Sequence, residues 1–578
     1  MPGRKIIVLK FGSSVLRGED DLPRVVHEIY RYWREGAQVL VVVSALGDTT
    51  DRLLHRAESI CAKPDESALA ILLATGETTA SALLGIALEK AGLPVKVLDA
   101  AQAGLCTSGG RLDAALFAVD RKRLLSESEH SVLVLPGFLG RDGEGQTTLL
   151  GRGGSDFSAL FLAQQLHAEC LLIKDVDGLY TSDPACRAIK PAQRFARTSY
   201  ETACRVGGVV VQPKAVQFAA AHNQTFTVTA IGTANGTKVG PVVDTLAAQI
   251  PSQVPLRVAL IGCGTVGGGV YERLLALPEL FTVSGVAVRD RNRLRKPHVP
   301  PYLLTEDPER LIERPCDVVV ELIGGTDKAG AIVRQALDLG RHVVTANKAL
   351  IALEGVELLK LAERSGVSVQ LSAAVGGALP ALETVRHART LGSIKGFSGI
   401  LNSTTNFILD QISQGVEFDA AVLAAQAAGY AEADPTLDLD GTDAAQKLGV
   451  LAREVFGVPL PFENISRKGI LDFEPARMLA AKRRGCCIRA VATCKRTTFG
   501  LEATVAPIEL PQDHPLAGVT GARNRLLVEL EGGGQLVVSG IGAGRWPTTE
   551  AVIADLLYIS RAAYLPAQAE QELEECVA

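Results

Sequence analysis

The feature that most constrains this chain is a buried-looking strand that runs into a glycine-rich turn and then a helical pattern: Arg257-Val-Ala-Leu-Ile-Gly262-Cys-Gly264-Thr265-Val266-Gly267-Gly-Gly269. Each glycine of G-x-G-x-x-G answers a separate demand. Gly262 permits the tight turn, Gly264 lets a pyrophosphate approach the backbone, and Gly267 allows close helix–strand contact. The following helix start offers free N–H groups and a positive dipole end to phosphates. The segment therefore predicts a dinucleotide-binding unit built on a parallel sheet, with Gly262, Gly264, Thr265, Val266 and Gly267 lining the cofactor.

The next strand pattern, Val283–Val288, ends in Arg289-Asp290-Arg291-Asn292-Arg293. An acid at that strand end pairs with a ribose 2′-hydroxyl, whereas an arginine suits a 2′-phosphate. Arg289 favours NADP, Asp290 leaves NAD open, and the plain alternative is a solvated basic loop.

One such unit accounts for only part of 578 residues, so two to four domains are expected. Short apolar runs alternate with helical patterns, the signature of α/β architecture. In the first part the strand candidates are Ile6–Leu9, Val39–Val43, Val95–Leu98, Val132–Leu135 and Leu171–Ile173, with helical spacing at Leu22–Trp33 and Ser81–Lys90. The pattern loosens before a new strand at Leu256–Ile261. A net charge of −5 gives no basic stripe for nucleic acid and no polybasic cluster for a membrane surface. Eleven scattered cysteines contain no C-x-x-C pair, which fits reduced thiols better than a zinc site or a disulfide framework. With no signal-peptide pattern and no run of 18 apolar residues, a cytoplasmic location and small-molecule substrates are expected.

Three later segments carry chemistry. Val318-Val-Val-Glu321-Leu-Ile-Gly-Gly325-Thr326 is a strand ending in a glycine pair. His342-Val-Val-Thr345-Ala-Asn347-Lys348 places an amide and a cation at the sheet's C-terminal edge, where open α/β sheets bind ligands. Asn402-Ser-Thr-Thr-Asn406 precedes Glu432, Asp434, Asp438, Asp440, Asp443 and Lys447, an acidic stretch that would ordinarily be a solvated face. Asp434-Pro435 and Gly441 break it into turns, so its acids converge. Asp443 and Lys447 stand at i, i+4 on a short helix and meet on one face.

Together these segments resemble homoserine dehydrogenase over about Leu256–Arg561. Further matches lie at Ala374-Val-Gly-Gly377-Ala-Leu-Pro380 and at Gly542-Ala-Gly544-Arg-Trp-Pro547-Thr548…Asp555. The resemblance implies NAD(P)-dependent interconversion of aspartate 4-semialdehyde and homoserine by a homodimer or larger homo-oligomer. It makes Lys447 the proton donor, Lys348 a second active-site lysine and Asp443 a neighbour of the reacting oxygen. Glu432 and Asp438 would bind substrate, and Thr326 and Lys348 would join the cofactor set. It also implies sodium on a glutamate and on carbonyls matching Val375, Gly377 and Leu379. Here Ser372 stands where that glutamate is usual, and a hydroxyl supplies no charge to a hard cation.

The N-terminal part opens with Lys5-Ile-Ile-Val-Leu-Lys10-Phe-Gly12-Ser13-Ser14, a strand entering a small-residue turn that frees N–H groups for phosphate. With Thr75-Gly76-Glu77, Gly151-Arg152-Gly-Gly-Ser155-Asp156 and Asp175-Val-Asp-Gly178-Leu-Tyr180-Thr-Ser-Asp183-Pro184, it resembles aspartokinase of the amino acid kinase family over about residues 4–240. The resemblance assigns Lys10 and Asp156 to the phosphoryl group, Glu77 and Arg152 to aspartate, and Asp175, Gly178 and Tyr180 to the nucleotide, with ATP and magnesium as cofactors. Ser13, Lys174, Ala185 and Val209 depart from that family's pattern, and the last two remove cations. An active kinase and a non-catalytic binding or oligomerisation module both remain open. The expected organisation is an aspartokinase-like α/β/α domain at 1–247, a linker at 248–254, and a Rossmann domain at 255–380 completed by 546–566. An α+β catalytic and dimerisation domain would fill 381–545. The short connection before Leu256 leaves no room for the ACT regulatory domains usual in bifunctional enzymes of this kind.

Overall fold

The computed structural model describes residues 4–184, 192–208, 210–233, 235–248 and 254–562. Most of the expected linker, together with Ala185 and Val209, lies outside them.

The N-terminal domain is built on a nine-stranded sheet. Its centre consists of parallel strands Glu169–Lys174, Ile6–Phe11, Gln38–Val43 and Val132–Pro136. These read as unbroken apolar runs because helices cover both faces. Ile7, Leu9 and Phe11 face the core shared with helix Leu22–Arg34, while Val8, Leu40 and Val42 face that shared with helix Gly154–Leu166. The helix Glu66–Lys90 is long and apolar enough to cross a membrane by length and composition alone. Here it packs on strands of this sheet and carries buried Glu77 into the domain. A separate four-stranded sheet, Asp113–Ala118, Cys106–Gly110, Leu139–Arg141 and Thr147–Leu149, was not among the expected strands.

The second domain is a six-stranded parallel sheet. Its order is Leu304–Thr305, Phe281–Ala287, Leu256–Ile261, Val318–Glu321, His342–Thr345 and Val369–Gln370. The order reverses beside Leu256–Ile261, and the crevice at such a reversal is where ligands of these sheets bind. The last helix, Arg545–Ala562, returns to pack on the helix Thr265–Leu275.

The third unit is a six-stranded, mostly antiparallel sheet centred on Cys486–Thr497 and Ile394–Ile400. Helix Thr442–Phe456 packs on it. This helix has 15 residues rather than one or two turns, because the apolar stripe Leu448, Leu451 and Val455 continues its buried face. One buried apolar cluster runs without a break from Ile7 and Trp33 to Leu379, Leu382 and Val385. The N-terminal domain is thus packed against the rest rather than tethered to it.

Candidate active sites

The glycine turn is shaped as its three demands require. Gly262 has φ +103°, and a Cβ there would lie 2.8 Å from the Leu322 carbonyl oxygen. A Cβ on Gly267 would stand 2.1 Å from the Gly262 carbonyl oxygen, so only glycine lets the helix sit so close to the strand. Around Gly264 there is nothing within 4 Å of such a Cβ, which leaves the space a pyrophosphate would use. Thr265 and Val266 open the helix. The cleft above the turn encloses about 1000 Å³, and Arg289, Asp290, Arg293, Arg295 and Lys296 stand on its rim. Arg289 is exposed, whereas Asp290 uses a carboxylate oxygen on the Asn292 N–H at 2.8 Å.

On the other side of the sheet end, Gly324 and Gly325 adopt φ of +71° and +75°. Buried Glu321 holds this turn, accepting from the N–H groups of Ile323 at 2.9 Å and Gly324 at 3.2 Å and from the Thr345 hydroxyl at 2.6 Å. Thr326 follows directly at the start of the next helix, its hydroxyl 3.2 Å from the Asp327 carboxylate. Asn347 caps the helix Lys348–Arg364 by accepting from Leu350 N–H at 3.1 Å, and its amide donates to the Gly325 carbonyl at 2.6 Å. A cap of this kind is worth about 1 kcal/mol; here the same side chain also ties the start of the Lys348 helix to the Gly324–Gly325 turn.

Lys348 meets Asp443, which also pairs with Lys447 at 2.8 Å. The three side chains form a lysine–carboxylate–lysine chain that joins the Rossmann sheet to the third unit. Gly441, at φ +85°, sets the start of the helix. Asp443 therefore lies in its first turn, where the dipole favours negative charge. Lys447 lies one turn on and is buried, donating to the Leu401 carbonyl at 2.9 Å. The Lys348 side chain is 42% exposed. Burial opposes the charge on Asp443, yet the two ammonium groups hold its carboxyl far below the usual carboxylate range. Burial likewise works against Lys348, but Asp443, Asp438 and Glu432 hold its pKa above the ordinary lysine value.

Asp438 completes the cluster. Burial, then the neighbouring Asp443 carboxylate, pushes its pKa up. Asn402 donates to Asp438 at 2.7 Å and to Asp443 at 2.8 Å, while capping its own helix through the Thr405 N–H. The Thr404 hydroxyl lies 3.0 Å from Asp438. Asn402 and Thr404 received no role from the sequence, although the motif containing them stood out; only the fold shows that they hold the two carboxylates together. Glu432 sits exposed on the preceding loop, at the edge of the cluster.

The N-terminal domain has its own cleft of about 1190 Å³, and Lys10, Glu77, Arg152, Asp156, Asp175, Gly178 and Tyr180 all line it. Asp156 is the hub. It pairs with Lys10 at 2.7 Å and Lys174 at 2.9 Å, all three buried. Burial, partly offset by Asp156, lowers Lys10 to about 8. Burial raises Glu77 to about 7, although it accepts the Ala45 N–H at 3.3 Å. Arg152 and Asp175 are exposed at the rim, and the Tyr180 hydroxyl is tied to Asp177 at 2.6 Å. Lys214 does not reach this centre; it pairs with Asp113 at 2.6 Å.

Comparison with known proteins follows the same division. Residues 5–229 match the amino acid kinase family, 262–372 the homoserine dehydrogenase NAD-binding domain and 380–557 homoserine dehydrogenase itself. A homoserine dehydrogenase of Synechocystis is 38% identical over 316 residues, covering 53% of this chain and 73% of the relative. That of Pseudomonas aeruginosa is 39% identical over 317 residues, with the same coverage. The crystal structure of a homoserine dehydrogenase from Thiobacillus denitrificans aligns at 37% identity and a TM-score of 0.49, covering 53% of this chain and 74% of that one.

Proposed function

Because the chain belongs to the homoserine dehydrogenase family, with a domain of the amino acid kinase family in front, we propose that it interconverts L-aspartate 4-semialdehyde and L-homoserine with NADP(H). The observation that carries this reading is the Lys348–Asp443–Lys447 chain, which joins the end of the Rossmann sheet to the third unit.

What a bound nicotinamide supplies is hydride to a carbonyl carbon; the protein's share is orientation and proton handling. Reduction of an aldehyde leaves charge on oxygen, which needs a donor at that atom. Lys447 serves as that donor, held in place by Asp443, with Lys348 as the more exposed lysine on the other side of that carboxylate. Asp438 and Glu432 receive the substrate's ammonium group, and Asn402 fixes Asp438 for that task. Gly262, Gly264, Thr265, Val266, Gly267 and Thr326 would hold the dinucleotide, and Arg289 would serve the 2′-phosphate that marks NADP. The test is oxidation of NADPH, followed by absorbance, on addition of aspartate 4-semialdehyde. Absence of turnover with either NADPH or NADH would overturn the assignment.

For the N-terminal cleft the proposed reaction is transfer of the ATP γ-phosphoryl group to the side-chain carboxylate of L-aspartate. Lys10 and Lys174 would stabilise the moving phosphoryl group, with Asp156 orienting both. Glu77 and Arg152 would hold aspartate, and Asp175, Gly178 and Tyr180 the nucleotide. Magnesium would arrive with the nucleotide, since it is usually bound through phosphates and one or two carboxylates. Among the described residues no three His, Cys, Asp or Glu side chains are grouped as a metal ion would need. The second reading, a non-catalytic module, is favoured by one observation: Lys10 and Lys174, the cations that would face a phosphoryl group, are both engaged by Asp156. Aspartyl hydroxamate formation, compared between wild type and Lys10→Ala, separates the two.

Sodium does not fit the residues present. The Gly377 carbonyl accepts the Tyr30 hydroxyl at 3.3 Å and the Leu379 carbonyl the Ala381 N–H at 2.7 Å. Ser372 is bonded to Glu383 at 2.7 Å and to Arg34 at 2.9 Å. No step of the proposed reaction uses a metal here.

A further inference from the structure

The first helix of the N-terminal domain, Leu22–Arg34, reaches beyond its own sheet. His27, Tyr30 and Arg34 are buried, and their polar partners belong to the dehydrogenase. His27 pairs with Glu550, which also holds Arg273 at 3.1 Å. The Tyr30 hydroxyl donates to the Gly377 carbonyl. Arg34 spans the most: its Nε donates to Glu383 at 2.7 Å, a terminal nitrogen donates to the Ser372 hydroxyl at 2.9 Å, and the same nitrogen pairs with Asp555. Asp555 in turn accepts the Ser372 N–H at 3.1 Å. Two buried carboxylates so close together need a cation, and a guanidinium is permanently charged with a fork that can serve both.

The segment held in this way separates the halves of the dehydrogenase site. The helical turn Ser372–Val375 packs between the helix that starts at Lys348 and the helix that carries Asp443 and Lys447. Beyond it, Ala378 N–H bonds to the Ile541 carbonyl at 3.0 Å, fixing the segment to the antiparallel sheet. A shift in Ser372–Leu379 would therefore move the two lysines relative to each other. The guanidinium bonded directly to Ser372, Glu383 and Asp555 comes from the other domain, while the dehydrogenase's own Arg386 acts on the two carboxylates without bonding Ser372.

Resting on the dehydrogenase reading above, we propose that Arg34, assisted by Tyr30, is a positioning residue for that reaction. The kinase-family domain supplies a fixed guanidinium where a bound metal cation would otherwise organise Ser372–Leu379. The dehydrogenase is then indifferent to added sodium or potassium and dependent on a helix that contains none of its catalytic groups.

The experiment uses the full chain and follows NADPH oxidation with aspartate 4-semialdehyde for wild type, Arg34→Ala, Arg34→Lys and Tyr30→Phe. Each is assayed in sodium, potassium and N-methylglucamine chloride at matched ionic strength, with and without millimolar guanidinium. Wild type should be equally active in all three salts. In Arg34→Ala, kcat should fall about 10- to 100-fold, the scale expected when a catalytic group is misplaced from a distance. The KM for NADPH should barely move, and guanidinium should restore turnover in part. Arg34→Lys should retain more activity than Arg34→Ala. A merely structural arginine would lose activity together with its unfolding midpoint, and added guanidinium would not recover it. If Arg34→Ala does not fold, Tyr30→Phe decides, because it removes only the hydroxyl–carbonyl bond; a lower kcat at unchanged KM is expected. A wild type that requires sodium or potassium, a folded Arg34→Ala with full kcat, or a loss that guanidinium leaves untouched would each overturn the proposal. Wild-type turnover is the internal control: its absence would overturn the dehydrogenase reading itself, whereas the other failures leave that reading standing.

Discussion

Replacing the shared carboxylate, Asp443→Asn, keeps the side chain's shape and removes its charge. Asp443 lies 2.8 Å from Lys447, touches Lys348 and accepts from Asn402 at 2.8 Å. At an effective dielectric constant near 20, one such pair has a gross attraction of about 6 kcal/mol. Desolvation offsets much of it, and removing one partner of a buried pair costs about 3–5 kcal/mol. The Lys348 pair adds little, because that side chain is 42% exposed and solvent screens it. The expected loss at neutral pH is therefore about 3–4 kcal/mol, a fall of roughly 6–15 °C in the unfolding midpoint for a unit this size. The sign with pH follows from the depressed carboxyl of Asp443. A group whose folded pKa is lowered stabilises above its unfolded value, near 3.8, and loses that contribution as pH falls through the folded value. Wild type and variant should thus differ fully at pH 7 and converge in acid. Thermal unfolding at pH 7 and at pH values below about 4 reads this directly. A difference under about 1 kcal/mol at pH 7, or one that persists undiminished in acid, would refute the shared counter-ion.

Arg289→Ala should raise the KM for NADPH at least about tenfold, the loss of one charge-assisted pair, while leaving that for NADH nearly unchanged; equal effects on both would remove Arg289 from the 2′-phosphate. In the phosphoryl transfer proposed for the N-terminal cleft, Glu77 would have to be ionised to hold an ammonium group and Lys10 protonated to serve a phosphate. With values of about 7 and about 8, aspartyl phosphate formation should peak between them and fall on both sides. A profile that stays flat from pH 6 to 9 would show that neither group titrates in that reaction.

How much of this was legible in the sequence follows from where the information sits. The strand Leu256–Ile261 and its three glycines were readable because every requirement is local, and the structure adds only the distances. The central kinase-domain strands were readable because parallel strands covered on both faces are continuous apolar runs. The antiparallel sheet around Cys486–Thr497 was not resolved into strands. Its partners are Ile394–Ile400 and Gly500–Pro511, and its faces mix buried and exposed positions, so no single period stands out. Within the site, Asp443 and Lys447 came from one helical spacing. Asn402 reaches its carboxylates across 36 and 41 residues, and no local pattern encodes that. Arg34 is the extreme case, meeting Asp555 across 521 residues. In sequence it is one more arginine at the end of a helix, where the dipole alone would explain it.

In the proposed reaction everything turns on the delivery of a proton by Lys447 to the developing oxygen. That delivery is tested by NADPH-dependent reduction of aspartate 4-semialdehyde in wild type and Lys447→Ala, with NADPH affinity measured in parallel by fluorescence titration. In Lys447→Ala, kcat should fall about 10²- to 10⁴-fold, the loss of a general acid, with cofactor affinity nearly intact because Lys447 touches Asp443 and Leu401 rather than the dinucleotide cleft. A variant that binds NADPH normally and keeps most of its turnover would contradict proton delivery by Lys447.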